Sequence, residues 1–151
     1  MSAQLVERSN MLSKKAQYAL KALEYLAMHP AAGRPVLISE ISEQQHIPLK
    51  FLENILLELR KAGILESKKG KGGGYTIPPQ AYTTSIAQVL RVVDGPIAML
   101  PCVSLHFYTA CDHCPTKNCA IQSIFADARD AVLSVLEQRT IADLHPKSSP
   151  E

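Results

Sequence analysis

Apolar side chains return every three or four positions along most of this chain. Between about Ser13 and Met28 they occupy Ala16, Ala19, Leu20, Leu23, Leu26 and Ala27, which lines one side of an α-helix. The segment "HPAAGRP" stops that helix with prolines and a glycine. A short second helix is predicted over "ISEISEQQ", a tight break at "HIP", and a third helix over "PLKFLENILLELRKAG". Pro48 opens the third helix where a missing N–H costs nothing, and Gly63 closes it where a left-handed residue is wanted. The predicted buried stripe is Leu49, Leu52, Ile55, Leu56 and Leu59, which leaves Lys50, Phe51, Glu53, Asn54, Leu57 and Lys61 toward the outside.

Beyond Gly63 the period shortens. "ILESKKGKGGGYTI" alternates, predicting two short strands around a glycine-rich turn crowded by Lys68, Lys69 and Lys71. Helix-turn-helix followed by a basic two-stranded hairpin is the order of elements in a winged helix. That arrangement suits double-stranded DNA: the third helix fits a major groove about 12 Å wide, and the hairpin reaches flanking backbone. Gly72, Gly73 and Gly74 allow positive φ and close approach to phosphates. "SIAQVLRVV" predicts a fourth helix, with Ser85 and Gln88 at capping-box spacing and "DGP" as its stop. An irregular loop is expected from about Met99 to Cys119, then a long last helix with Ile121, Ile124, Phe125, Ala128, Val132, Val135 and Leu136 on one face. So wide an apolar face beyond a complete small domain calls for a partner surface. A homodimer, which a reader of palindromic half-sites needs, is expected over packing on its own domain. "TIADLHPKSSPE" reads as one short turn and a loose tail.

The expected fold is therefore mainly α with a small β wing. It divides into an N-terminal extension (1–10), a winged helix-turn-helix DNA-binding domain (11–80), a linking helix (81–98), a cysteine-rich sensor loop (99–119), a dimerisation helix with a C-terminal turn (120–145) and a tail (146–151). A length of 151 residues with 46% apolar and 20% charged residues fits one ordinary soluble domain. The start has no apolar run of signal-peptide length, and no stretch approaches the roughly 18 apolar residues of a membrane span, so a cytoplasmic protein without membrane contact is expected. The net charge of +2 is unevenly spread: residues 1–80 carry 11 Lys and Arg against 7 Asp and Glu, residues 81–151 carry 5 against 7. The basic first part is where a polyanion would dock, and Lys14 and Lys15 at the start of the first helix are further phosphate candidates.

All four cysteines, Cys102, Cys111, Cys114 and Cys119, fall within one short segment, separated by eight, two and four residues. In a reducing cytoplasm such a group points to metal ligation or redox sensing ahead of structural disulfides. Thiolates are soft donors that suit zinc or iron–sulfur clusters, and a two-residue gap lets both sulfurs approach one centre. Core filling is a poor account, because Asp112, His113, Pro115, Thr116, Lys117 and Asn118 lie between them. Reversible thiol oxidation stays open, as does zinc. A dithiol enzyme using "CDHC" is disfavoured, since no strand precedes Cys111 as a thioredoxin-like unit would require, and no enzymatic activity is expected.

"MLSKKAQYALKALEYLA", "LKFLENILLELRKAGILESKKGKGGGY", "SIAQVLRVVDGP" and the cysteine loop before a long helix together resemble the bacterial IscR/NsrR/CymR family of winged-helix regulators, over essentially residues 11–145. The resemblance implies a repressor that dimerises through its last helix and reads a palindromic operator. It also implies an iron–sulfur cluster, 2Fe–2S or 4Fe–4S, held by Cys102, Cys111, Cys114 and Cys119, with zinc or no cofactor and a thiol or metabolite signal as alternatives. The better-known cluster-binding members resemble one another in three cysteines at equal gaps, unlike the spacing here. A further ligand of one branch, a histidine, is replaced by Gln122, and that of another, an aspartate of the first helix, by Gln17. The fourth cysteine stands in for them, with His106 and His113 in reserve. By the same resemblance Pro48, Lys50, Phe51 and Glu53 match base- or phosphate-contacting positions, and Lys69 matches a wing residue that enters a minor groove. Chemically, Lys50 and Lys69 neutralise phosphates, Phe51 meets a thymine methyl and Glu53 accepts from a cytosine amino group. Asn54, Lys68, Lys71 and Gly73 complete the expected DNA-facing set.

Overall fold

The computed structural model describes residues 12–29, 34–112 and 119–145. Helix α1 spans Lys14–Met28, α2 Ile38–Gln45, α3 Leu49–Lys61, α4 Ile86–Val93 and α5 Ala120–Leu136, with one antiparallel pair, β1 Glu66–Lys68 and β2 Gly74–Thr76. Helix α1 starts on Ser13, whose hydroxyl oxygen accepts from the Ala16 N–H at 3.0 Å and whose own N–H and O–H donate to the Asp94 carboxylate at the end of α4. Ala16, Ala19 and Ala22 are fully buried, and their small side chains let α1 lie close to its neighbours. Leu20 and Ala27, expected inside, are half-buried, while Tyr25 joins the core.

The turn between α2 and α3 is held locally. His46 takes a left-handed conformation at φ 52°, the Ile47 N–H donates to the Ser42 carbonyl at 3.0 Å, and the Ser42 hydroxyl donates back to the Ile47 carbonyl at 2.6 Å. Pro48 sits one position ahead of α3 as its cap, its carbonyl accepting from the Leu52 N–H at 3.0 Å. Leu52, Ile55, Leu56 and Leu59 are fully buried, but Leu49 is 45% exposed. The expected stripe is thus one residue too long: Leu49 falls in the first turn, beside exposed Pro48 and Lys50, where no element of the described structure covers it. Gly63, at φ 79°, ends α3 as predicted. Its N–H reaches the Arg60 carbonyl and the Ile64 N–H reaches that of Leu59, both at 3.0 Å, which satisfies the last turn.

The hairpin pairs Glu66 with Thr76, Ser67 with Tyr75 and Lys68 with Gly74. A single-residue bridge adds Val36 to its other side, through Val36 N–H to Tyr75 carbonyl at 2.9 Å and the reverse bond at 2.8 Å. A side chain at Gly74 would collide with the Val36 carbonyl, so glycine is required there for the wing to dock on the helices. Helix α4 carries the predicted capping box, with Ser85 and Gln88 bonded reciprocally. After α5 the chain returns: Ile86 N–H donates to the Arg139 carbonyl at 2.8 Å and Ile141 N–H to the Thr84 carbonyl at 3.0 Å. Ile141 is completely buried, so this turn belongs to the core; residues 146–151, the rest of the expected tail, lie outside the described residues, as do residues 1–10. No helix of the described residues is long and apolar enough to cross a membrane.

Two outcomes test this account. Gly74→Ala is expected to speed hydrogen exchange at the Val36 and Tyr75 amides about tenfold, the loss of roughly 1–1.5 kcal/mol of bonding, with the helical circular dichroism unchanged. Tyr25 donates to the Glu40 carboxylate at 2.6 Å, and that bond, with burial and the Glu40 charge, pushes the phenol up from 10.0 to about 12. The neutral phenol is the bonded form, so its stabilisation is fully present below pH 10 and is lost as pH rises through about 12. The wild-type denaturation midpoint should fall more steeply across that interval than that of Tyr25→Phe.

Candidate functional site

Two sets of predicted residues can be followed in the structure. The first is the outer side of α3 with the wing. Lys50, Phe51, Glu53 and Asn54 are all exposed along α3, and Lys68, Lys69 and Lys71 are exposed on the hairpin. None of those charged side chains has an ion-pair partner among the described residues, so their charge is available to an outside polyanion. Lys14 is also exposed and places its ammonium 5.6 Å from the centre of the Tyr18 ring. Lys15 differs from its neighbour. Its Nζ lies 2.9 Å from Glu58 Oε1, tying α1 to α3, so much of its charge is already answered.

Gly73 has a structural role that its glycine-rich context hid. It is buried, its N–H donates to the Gly70 carbonyl at 2.9 Å, and a side chain there would collide with the Lys68 carbonyl. The close approach that glycine permits at 73 is to the wing's own backbone. Sequence reasoning passed over Tyr18, whose ring stands edge-on to Phe51 with centroids 6.2 Å apart and planes at 72°. Its place four residues after Lys14 on a helix that touches α3 was the available signal.

The second group lies at the foot of α5. Cys102, in a short 3-10 turn over Pro101–Val103, and Cys119, the residue before α5, line one surface cleft of about 520 Å3 together with Gln122, Ser123 and Arg129. Gln122 Nε2 donates to the Cys102 carbonyl at 3.2 Å, and Arg129 Nη1 donates to the Val103 carbonyl at 2.8 Å, so α5 holds the turn from two points. Arg129 is itself steadied by Asp130 at 2.8 Å. Gln17, at the other departure from the family pattern, donates to the Leu12 carbonyl at 3.0 Å on α1. Cys111 is exposed and is not among the residues lining the cleft, His106 is exposed, and Cys114 and His113 lie outside the described residues. The donor chemistry suits a thiophilic metal centre, and the described residues bring two thiol positions to one cleft without gathering three Cys, His, Asp or Glu side chains.

Around this cleft the loop is more ordered than expected. The buried Ser104 accepts from the Phe107 N–H at 3.0 Å, and Thr109 N–H donates to the Pro101 carbonyl at 3.1 Å. Met99, Leu105, Phe107 and Tyr108 remain largely exposed, and on α5 only Leu133 is buried while Ile121, Ile124 and Val135 are each more than half exposed.

Comparison with known proteins agrees with this geometry. The Rrf2 family, described as iron-dependent transcriptional regulators, matches residues 12–147. An rrf2-like HTH-type transcriptional regulator of Rhodobacter capsulatus is 38% identical over 143 residues, covering 93% of this chain and 95% of that protein. The HTH-type transcriptional regulator IscR of Vibrio vulnificus is 32% identical over 133 residues, covering 88% and 76%. Among solved structures, CymR, the global cysteine regulator of B. subtilis, superposes with a TM-score of 0.72 at 26% identity over 89% of this chain and 95% of that one. IscR of T. potens gives 0.69 at 25% identity over 91% and 87%. With a helix-turn-helix, a docked basic wing and a family match across nearly its whole length, this chain belongs to the Rrf2 family of DNA-binding transcriptional regulators and is not an enzyme.

Proposed function

We propose that this chain acts as a homodimeric transcriptional repressor whose affinity for a palindromic operator is set by an iron–sulfur cluster held by Cys102, Cys111, Cys114 and Cys119. The observation that carries the reading is the shared cleft: Cys102 and Cys119 meet at the foot of α5, and Gln122 and Arg129 bind the Cys102 turn directly to that helix. A bound cluster would supply one-electron chemistry and reactivity toward oxidants at this spot. The chain's own residues do the rest. Gln122 and Arg129 transmit the position of the turn to α5, and the pairing of Thr84 and Ile86 with Arg139 and Ile141 transmits the position of α5 to α4.

The exposed Ile121, Ile124 and Val135 give α5 the apolar side that a second copy would cover. Two α3 helices set about 34 Å apart then enter successive major grooves. In each, Lys50 and the wing lysines neutralise phosphates, while Phe51 and Glu53 meet base edges. Arg129, IscR-like and CymR-like relatives, and the thiol-rich loop all support a signal read at the cleft.

The direct experiment is anaerobic purification with an absorption spectrum and iron, sulfide and zinc analysis on one sample. Visible iron–thiolate absorption with sulfide matching iron is expected, and its loss in Cys102→Ser and Cys119→Ser. Operator affinity of the loaded and emptied proteins should then differ by a factor of about 5 to 150. Equal affinities would make the loop structural, and stoichiometric zinc would make it a clasp. A second outcome concerns the phosphate contacts. Lys69→Ala, which removes one phosphate contact from each of the two wings, should lower the slope of log affinity against log salt by about 2, whereas Lys15→Ala, whose cation is paired with Glu58, should leave that slope nearly unchanged.

A further inference from the structure

We propose that Tyr18 is a specificity-determining residue: it positions the Phe51 ring for contact with a thymine methyl group without contacting the base itself. The inference rests on reading α3 as the recognition helix. Phe51 is 53% exposed, in the first turn of α3, and an exposed ring on a helix ordinarily samples several rotamers. Here an aromatic ring from α1 stands against it. Tyr18 is packed against the hydrophobic core at its base, and its ring meets that of Phe51 edge-on, with centroids 6.2 Å apart. Lys14 covers Tyr18 from one turn earlier on α1, its Nζ 5.6 Å from the ring centre.

The alternative resting place for the Phe51 ring is also visible. A surface cleft of about 320 Å3 lies along α3 opposite Lys15 of α1, and Phe51 already forms part of its wall together with Asn54, Ile55, Glu58 and Lys61. With the Tyr18 ring removed, Phe51, already at the wall of that cleft, is free to settle further into it and away from a groove-facing position. The Tyr18 hydroxyl makes no hydrogen bond among the described residues, so the part of the side chain that does the positioning is the ring. Removing the hydroxyl should therefore leave the effect intact, and removing the ring should abolish it. Fixing Phe51 before DNA arrives saves the ordering of a mobile side chain on binding, which turns an apolar contact into discrimination between thymine and a base without the methyl.

The probe is a duplex selected by the wild-type protein from a random pool, with each thymine replaced in turn by deoxyuridine, which lacks only the methyl. For every protein the affinity ratio of the two duplexes is read within one preparation, so it is independent of the active fraction. Wild type should lose about fourfold at one thymine per half-site, which is the roughly 0.8 kcal/mol of one buried methyl-sized group at about 1.4 kcal/mol per tenfold. Tyr18→Phe should keep that ratio. Tyr18→Leu should bring it close to unity, as should Phe51→Ala, and Tyr18→Met serves if the leucine variant fails to fold. A fourfold ratio retained in Tyr18→Leu or Tyr18→Met, or lost in Tyr18→Phe, overturns the proposal. So does a wild-type protein indifferent to every methyl, although its selection of a duplex would still support α3 and the wing as the DNA-reading surface. If no duplex emerges from the pool, that underlying reading fails as well.

Discussion

The burial of one side of α3 is the constraint from which the rest of this molecule follows. Leu52, Ile55, Leu56 and Leu59 are completely withdrawn from water, against α1, α2 and α4. Each such side chain contributes on the order of 1.5–3 kcal/mol relative to exposure. A helix fixed so firmly on one side has no rotational freedom left on the other. Lys50, Phe51, Glu53 and Asn54 therefore face outward as a set whose mutual positions are determined by core packing. The alanines of α1 complete the constraint, since Ala16, Ala19 and Ala22 leave no side-chain bulk to hold the helices apart. The Schellman turn at Gly63 then sends the chain directly into the wing, whose docking on Val36 fixes the basic hairpin beside α3.

Helix α5 is governed by a different constraint, because it contributes little to the core beyond Leu133 and instead is fastened by polar contacts along its length and just beyond its end. Gln122 in its first turn and Arg129 past its midpoint bond to carbonyls of the Cys102 turn, and beyond its end two backbone hydrogen bonds join Arg139 and Ile141 to the entry of α4. The Arg91–Glu137 pair at 3.1 Å adds an ionic contact there. Such a half-exposed pair is worth little by itself. The backbone bonds matter more, since they admit only one register. A change at the cysteine turn thus has a mechanical route to α4, and from α4 to both α1, through Asp94 and Ser13, and α3, which packs on it. That route is what the proposed sensing function requires, and it uses elements that α3 needs for its own support.

Much of this was legible in the sequence because local signals and long-range packing agree. The 3.6-residue spacing of α1 and α3, Pro48 and Gly63 at the ends of α3, and the Ser85–Gln88 capping box each specify structure through neighbours a few residues away. What escaped were effects that depend on distant partners. Leu49 fits the apolar period of α3, but period alone does not say where neighbouring elements stop covering a helix. The burial of Ile141 depends on the chain returning to Thr84, and the Val36 bridge on a residue far ahead of the hairpin. At the site, the exposed lysines of the wing were readable from composition, whereas Lys15 was not separable from Lys14 without knowing that Glu58 lies across from it. Gly73 misled for a similar reason: a glycine-rich turn announces close approach without saying to what.

The charges on the exposed side of α3 divide affinity from specificity. Lysines on the wing attract any phosphate backbone, and such attraction is blind to sequence and weakens with salt. Glu53, exposed and without an ion-pair partner among the described residues, does the opposite. A carboxylate brought to a polyanion is repelled at every site, and only a donor on a base edge, such as the cytosine amino group, offsets that cost. In the proposed reading its presence beside Lys50 and Phe51 would lower binding to most DNA more than to the right DNA, which is how an interface gains discrimination without gaining contacts. A nonpolar residue at 53 would bind more tightly everywhere and distinguish less. In that reading the fully buried inner side of α3 is what holds the Glu53 charge in a fixed place relative to Lys50 and Phe51.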